Sequence, residues 1–253
     1  MRTLKISIFA ILLFACVGTL QAQDYIVTNI AYAKRDLNAD YLPDDTFNEY
    51  EVRGRITSQN FTTNATDIYI QDTSDNVGIW VRGSFDLNET IFTLGKEVIA
   101  AGTISQTNGV RLIFSPYESW FEDAGSGVSV VPPLNVSIAT LLASPESYEC
   151  TLVQITNATI AGDIPSFGSS ATLSINDGSS LDLRINSVTD IDGQLTPTNE
   201  STYIGLFLQH DTTAPFDSGY QLLPRSYADI IQTTEEQSPE IFVVNSNAVF
   251  SVI

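Results

Sequence analysis

The chain has 253 residues, 43% of them hydrophobic, with 30 acidic against 11 basic side chains and a net charge of -19 at pH 7. Such a surface repels polyphosphate, because nucleic-acid affinity at physiological salt is built largely from basic residues that release counterions. With only two cysteines, one of them in an N-terminal apolar segment, a disulfide framework is excluded and stability has to come from core and sheet.

Arg2 and Lys5 precede an apolar run that ends near the small residue Ala22, which is the build of an export signal over 1–22. The run is too short for a retained anchor and has no basic flank after it, so residues 23–253 are expected to hold no transmembrane span. Leu13-Phe14-Ala15-Cys16 allows a second reading, a lipobox with Cys16 as the lipidated residue, although bulky Phe14 fits it poorly. The expected location is secreted or at the cell surface, with the periplasm or a lipid anchor through Cys16 as the alternative. Cleavage leaves nine basic against thirty acidic residues, a net charge near -21. Cys150 then remains alone, inside a strand pattern that marks a buried, inert thiol.

Beyond the signal the chain reads as β. Period-two alternation and β-branched residues predict strands over 51–57, 67–72, 78–82, 97–104 and 110–114. Asn108-Gly109 between the last two is a hairpin turn, because both residues accept left-handed dihedrals. Val131-Pro132-Pro133-Leu134 punctuates the chain and 138–143 suits one short helix; strands resume over 151–160, 171–175, 180–185, 203–209 and 220–223. The matched spacing of the halves predicts an all-β fold of two five-stranded OB-fold-like barrels in tandem, over 23–126 and 127–232, with the two sheets of one sandwich as the alternative. Residues 233–253 change to linker composition and then begin a new apolar alternation, which reads as an edge strand or the start of a further segment.

The segments Lys34 to Asp44, Val52 to Ile56, Tyr69 to Ile79 and Leu94 to Ile104, with the closing Tyr220 to Ile230, resemble the OB-fold-like modules of secreted, multi-domain Bacteroidetes-type proteins, including those attached to extracellular nucleases. The likeness spans nearly all of 25–232 as two modules. It implies a fold and an exported setting, and no nuclease residues are present to carry over.

Two groups of residues are candidate sites. Tyr69, Trp80, Arg82, Arg53 and Arg55 fall on strands that would form the ligand face of the first barrel, where aromatic platforms flanked by arginine stack bases or sugars; the bland reading is an aromatic covering the barrel or packing on the next module. Asp36, Asn38, Asp40 and Asp44 offer oxygens at alternating spacing that could wrap a structural calcium, against the reading of a solvated loop with a helix cap. The glycine and closing glutamate of an EF-hand loop are missing, with Ala39 and Tyr41 where a tight turn wants glycine. No other cofactor is implied.

Nothing in the composition assembles an enzyme. His210 is the sole histidine and has no triad or zinc partners, the serines lack a nucleophile-elbow context, and the carboxylates show no acid/base pairing. Six Asn-x-Ser/Thr triplets would predict a glycoprotein in a eukaryotic secretory pathway, and most of them are incidental in a bacterial setting. The leading expectation is therefore an exported, non-catalytic binding or spacer module, with a protein or glycan at the cell surface ranked ahead of nucleic acid as partner. The alternatives are the nucleic-acid-holding part of a secreted nuclease or other hydrolase, and a carbohydrate-binding or adhesion module.

Overall fold

A computed structural model describes residues 25–88 and 92–232. The predicted signal and the segment from 233 onward lie outside the described residues, and with them the expectations for cleavage, Cys16 and the closing edge strand. Among the described residues no helix is long and apolar enough to cross a membrane.

The first half runs β1 (Ile26–Val27), α1 (Ile30–Ala33), β2 (Glu49–Ile56), β3 (Thr66–Asp72), β4 (Val77–Gly83), β5 (Glu97–Thr107), β6 (Val110–Ser115) and β7 (Phe121–Asp123). Its sheet order is β1-β2-β3-β4-β6-β5-β7, and β2 also pairs with β5. Period two explains the core: Ile68 and Ile70 of β3, Ile79 and Val81 of β4, Val98 and Ala100 of β5, and Ile113 of β6 all point inward and are buried. Asn108 and Gly109 turn the β5–β6 hairpin with φ of 52° and 88°, the left-handed dihedrals expected of that dipeptide.

The second half runs β8 (Leu134–Asn135), α2 (Ile138–Ala143), β9 (Leu152–Ala161), β10 (Ala171–Asn176), β11 (Ser180–Ile185), β12 (Ser201–Gln209), β13 (Tyr220–Leu223) and β14 (Ile230–Gln232). Five of these strands close on themselves in the order β9-β10-β11-β13-β12, with β12 pairing back to β9 through Tyr203–Ile155 to Leu206–Leu152. The β11–β13 pairing is parallel and its ring neighbours are antiparallel, which is the OB arrangement. Phe207, Tyr203, Leu183, Ile175 and Ile155 fill the barrel, and Ile138 and Leu141 of α2 join that core. Ser137 caps α2 by accepting the Thr140 amide, and Asp177 accepts the Ile138 amide.

The expectation of two barrels needs correction. One closed five-stranded OB barrel is present, in the second half; the first half is a ring of five strands and not a barrel. There β2 meets β3 over only two pairs, Arg55–Gln71 and Ile56–Ile70, while Tyr50 and Glu51 of β2 take up β1. Strand counting from alternation registers that a pairing exists and says nothing of how far it extends.

Candidate functional site

On the outer face of β3 and β4 the cross-strand pairs are Asp67–Arg82, Tyr69–Trp80 and Gln71–Gly78. Three of the predicted ligand residues come together here. The Tyr69 and Trp80 rings stack 6.0 Å apart at 9°, Phe61 meets Tyr69 edge-on, and the exposed Arg82 guanidinium lies 4.9 Å from the Trp80 ring centroid. Trp80 donates its indole N–H to Asp67, whose carboxyl is pushed up by burial against that hydrogen bond and the Arg82 charge. Arg53 and Arg55 are elsewhere, on β2, where both face Glu97 at 3.6 and 3.7 Å and donate to the carbonyls of Ala124, Gly95 and Gly127.

The deeper end of this face is covered by the second unit. Tyr69 packs with Val110 against Cys150, Leu152, Leu206, Leu208 and Leu223. Residues 149–152 cross it like an extended ligand: Lys34 donates to the Glu149 carbonyl, Thr151 donates to the Asn76 carbonyl at 3.0 Å, and the Leu152 amide donates to the Gln71 side chain at 2.9 Å. The Cys150 thiol is fully buried, and burial pushes it well above the usual thiol range, which is the inert cysteine expected. The β5–β6 hairpin tip docks further along, with the Asp211 amide donating to the Asn108 carbonyl and His210 beside the Asn108 amide group. Arg225, paired bidentately with Asp229, donates to the Thr57 carbonyl at the other edge.

An ion cluster closes the seam, and it has no precursor in the sequence reading. Lys34 Nζ sits 3.0 Å from Glu149, and Arg111 reaches Asp36 at 3.2 Å, Glu146 at 2.8 Å and Glu149 at 3.8 Å. Lys34, Arg111 and Glu149 are all buried. Its members are up to 115 residues apart along the chain, and only the docking of the units brings them together. A cleft of about 660 Å³ opens beside it, lined in part by Arg35, Tyr41, Asp75 and Pro145.

Of the loop proposed for calcium, Asp36 accepts the Asp40 and Tyr41 amides and faces Arg111, Asn38 bonds Asp40, and Asp44 accepts the Leu37 amide. Its oxygens thus serve local amides, and Ala39 and Tyr41 make the tight turns at φ of 56° and 67° without glycine. No group of three or more His, Cys, Asp or Glu among the described residues is placed to hold a metal ion.

The corresponding face of the barrel in the second half is uncovered. Thr172–Arg184, Ser174–Asp182 and Asn176–Ser180 pair across β10 and β11 with side chains outward, since Ile175, Leu181, Leu183 and Ile185 point into the core. Arg184 hydrogen-bonds Thr172, and the Ser174 and Ser180 hydroxyls bond each other at 2.7 Å. In the connection after β9, Phe167 is 87% exposed and lies by Gly193, where the Gly193 amide donates to the Pro165 carbonyl and Asp192 accepts the Gly168 amide.

No family model matches the chain, and no curated protein matches it in sequence. Solved structures match in fold. A murine DNA-binding protein bound with double-stranded DNA is 9% identical over 74% of this chain and 98% of that one, with a TM-score of 0.36. A replication protein A heterotrimer bound to single-stranded DNA is 14% identical, covers 55% of this chain and 39% of its own, and scores 0.27. The S. pombe Stn1-Ten1 complex is 12% identical over 31% of this chain, scores 0.25, and is matched over 59% of its length. These are likenesses of fold. The ranking of protein or glycan ahead of nucleic acid as partner is not upheld. Net charge alone, on which that ranking rested, does not describe the local surface of a strand face.

Proposed function

We propose that the chain is an exported, non-catalytic OB-type module that binds single-stranded nucleic acid across the β10–β11 face. The observation that carries this reading is the accessibility of that face. OB barrels take oligonucleotides on their second and third strands between the flanking connections; the equivalent face of the first unit is packed against its neighbour, whereas that of the second is free. Thr172, Ser174, Asn176 and Ser180 supply donors and acceptors for base edges, and Phe167 supplies a ring on which a base can stack.

Phosphate contacts contribute little. Of the nine lysines and arginines among the described residues, only Arg82 and Arg184 stand outside the ion pairs, so affinity depends on stacking and base contacts. The test is fluorescence anisotropy of a labelled single-stranded oligonucleotide at low and moderate salt. The expected result is micromolar binding whose log-log salt slope is no steeper than about -0.7, the value for one contact, because Arg184 is on this face and Arg82 is on the first unit. Phe167→Ala should weaken it by about 1–3 kcal/mol, the range for losing one stacked base. No binding even at low salt would overturn the reading, and a steep salt slope would move the site to some other surface.

A further inference from the structure

The cluster at the seam is not charge-balanced: three carboxylates, Asp36, Glu146 and Glu149, face two cations, Lys34 and Arg111. Lys34 is committed to Glu149 and to the carbonyls of Gly78 and Glu149. Arg111 is divided among all three carboxylates. One negative charge is left over in a low-dielectric seam, where an uncompensated charge is costly. We propose that Glu146 takes up a proton as the pH falls, and that this tightens the clasp between the two units.

Geometry singles out Glu146. Glu149 is 2% exposed and held by Lys34 and by the Arg111 amide, and Asp36 is held by two backbone amides. The Glu146 side chain is 26% exposed and lines the cleft, so a proton can reach it. The groups around it come from every packed element: Lys34, Arg35, Asp36 and Tyr41 from the segment after α1, Asp75 from the β3–β4 turn, Arg111 from β6, Glu149 from its own connection, and Tyr220 from β13, whose hydroxyl donates to Glu146 Oε1 at 2.8 Å. Burial and the Glu149 charge push the Glu146 carboxyl up, and Arg111, the Tyr220 hydroxyl and Lys34 offset this only in part. A carboxyl raised in the closed form holds its proton more tightly there than when the seam opens. The closed form therefore gains stability as pH falls through the raised value and loses it as pH climbs.

Cys150 reports on the clasp, because its thiol is buried in the seam and reacts only when the seam opens. The experiment uses the full chain with Cys16→Ser, so that Cys150 is the one thiol, and a pyridyl disulfide, which reacts in mild acid as well as at neutral pH. Labelling rates are compared with and without Glu146→Gln at each pH, which cancels the intrinsic thiol chemistry. Because the amide of Glu146→Gln is a neutral stand-in for the protonated carboxyl, the chain that keeps Glu146 should label faster than that variant at about pH 8. The expected ratio is several-fold, at most about tenfold for each pH unit by which the carboxyl is raised, and it should close toward one near about pH 4, below the ordinary glutamate value. A ratio that stays constant with pH would overturn the proposal, as would a pH-dependent ratio of the same size for Glu200→Gln, an exposed carboxylate just before β12. If Glu146→Gln fails to fold, side-chain carbon NMR of the unsubstituted chain decides: a Glu146 midpoint above the ordinary glutamate value supports the proposal, and one at or below it overturns it.

Discussion

A β-carbon placed on Gly78 would stand 2.0 Å from the carbonyl oxygen of Cys150, and the atom it meets is backbone that cannot swing aside. Gly78→Ala should therefore separate the units locally and destabilise the chain by about 1–3 kcal/mol, the usual cost of overpacking. Gly127→Ala, whose β-carbon would meet nothing within 4 Å, is the matched control. Urea unfolding of both variants checks this; equal midpoints would mean that the two backbones are not in close approach. The residue scale is also where the sequence says least. Tyr69, Trp80 and Arg82 can be placed on one face from alternation and strand pairing alone. That the face is half covered cannot, because its cover begins at Glu149, about seventy residues later. Lys34 and Arg111 look in sequence like ordinary solvated cations, and only the docked seam makes them buried partners of Glu146 and Glu149.

At the scale of elements, α2 has six residues and cannot hold itself together by backbone bonds alone. Two things anchor it: burial of Ile138 and Leu141, and the side-chain acceptors Ser137 and Asp177 at its first turn. Ser137→Ala should cost about 1 kcal/mol in urea unfolding, and a loss near zero would show that Asp177 alone suffices for the cap. This helix, like the longer strands of both halves, is legible, because buried positions recur with a period that the residues print directly. The shortest strands, β1, β7, β8 and β14, have two or three residues and no period to read. Their existence depends on a neighbouring edge. The same limit explains the expected barrel that is a ring: Arg55–Gln71 and Ile56–Ile70 make a seam whose shortness is set by tertiary geometry.

Across the whole molecule, net charge and pairing pull in opposite directions under salt. Seven described cations are in ion pairs, and those with exposed members, such as Arg53–Glu97 and Lys96–Asp123, contribute little each because water screens them. Against them stands the mutual repulsion of a chain carrying -19, which weakens every compact state and is relieved by screening over about 8–10 Å at physiological salt. The buried Lys34–Glu149 and Arg111 pairs respond far less to added salt than either. Repulsion should therefore dominate, and the urea midpoint should rise as sodium chloride is raised from about 0.01 to about 0.5 M at neutral pH. A falling midpoint would mean that exposed pairs outweigh the net charge. The same screening acts on the proposed ligand: added salt lessens the repulsion between an acidic protein and a polyanion while it weakens the few cationic contacts, so the two trends partly cancel. A shallow salt dependence of binding together with a salt-strengthened fold is the combined signature expected of an acidic OB module that reads bases rather than phosphates.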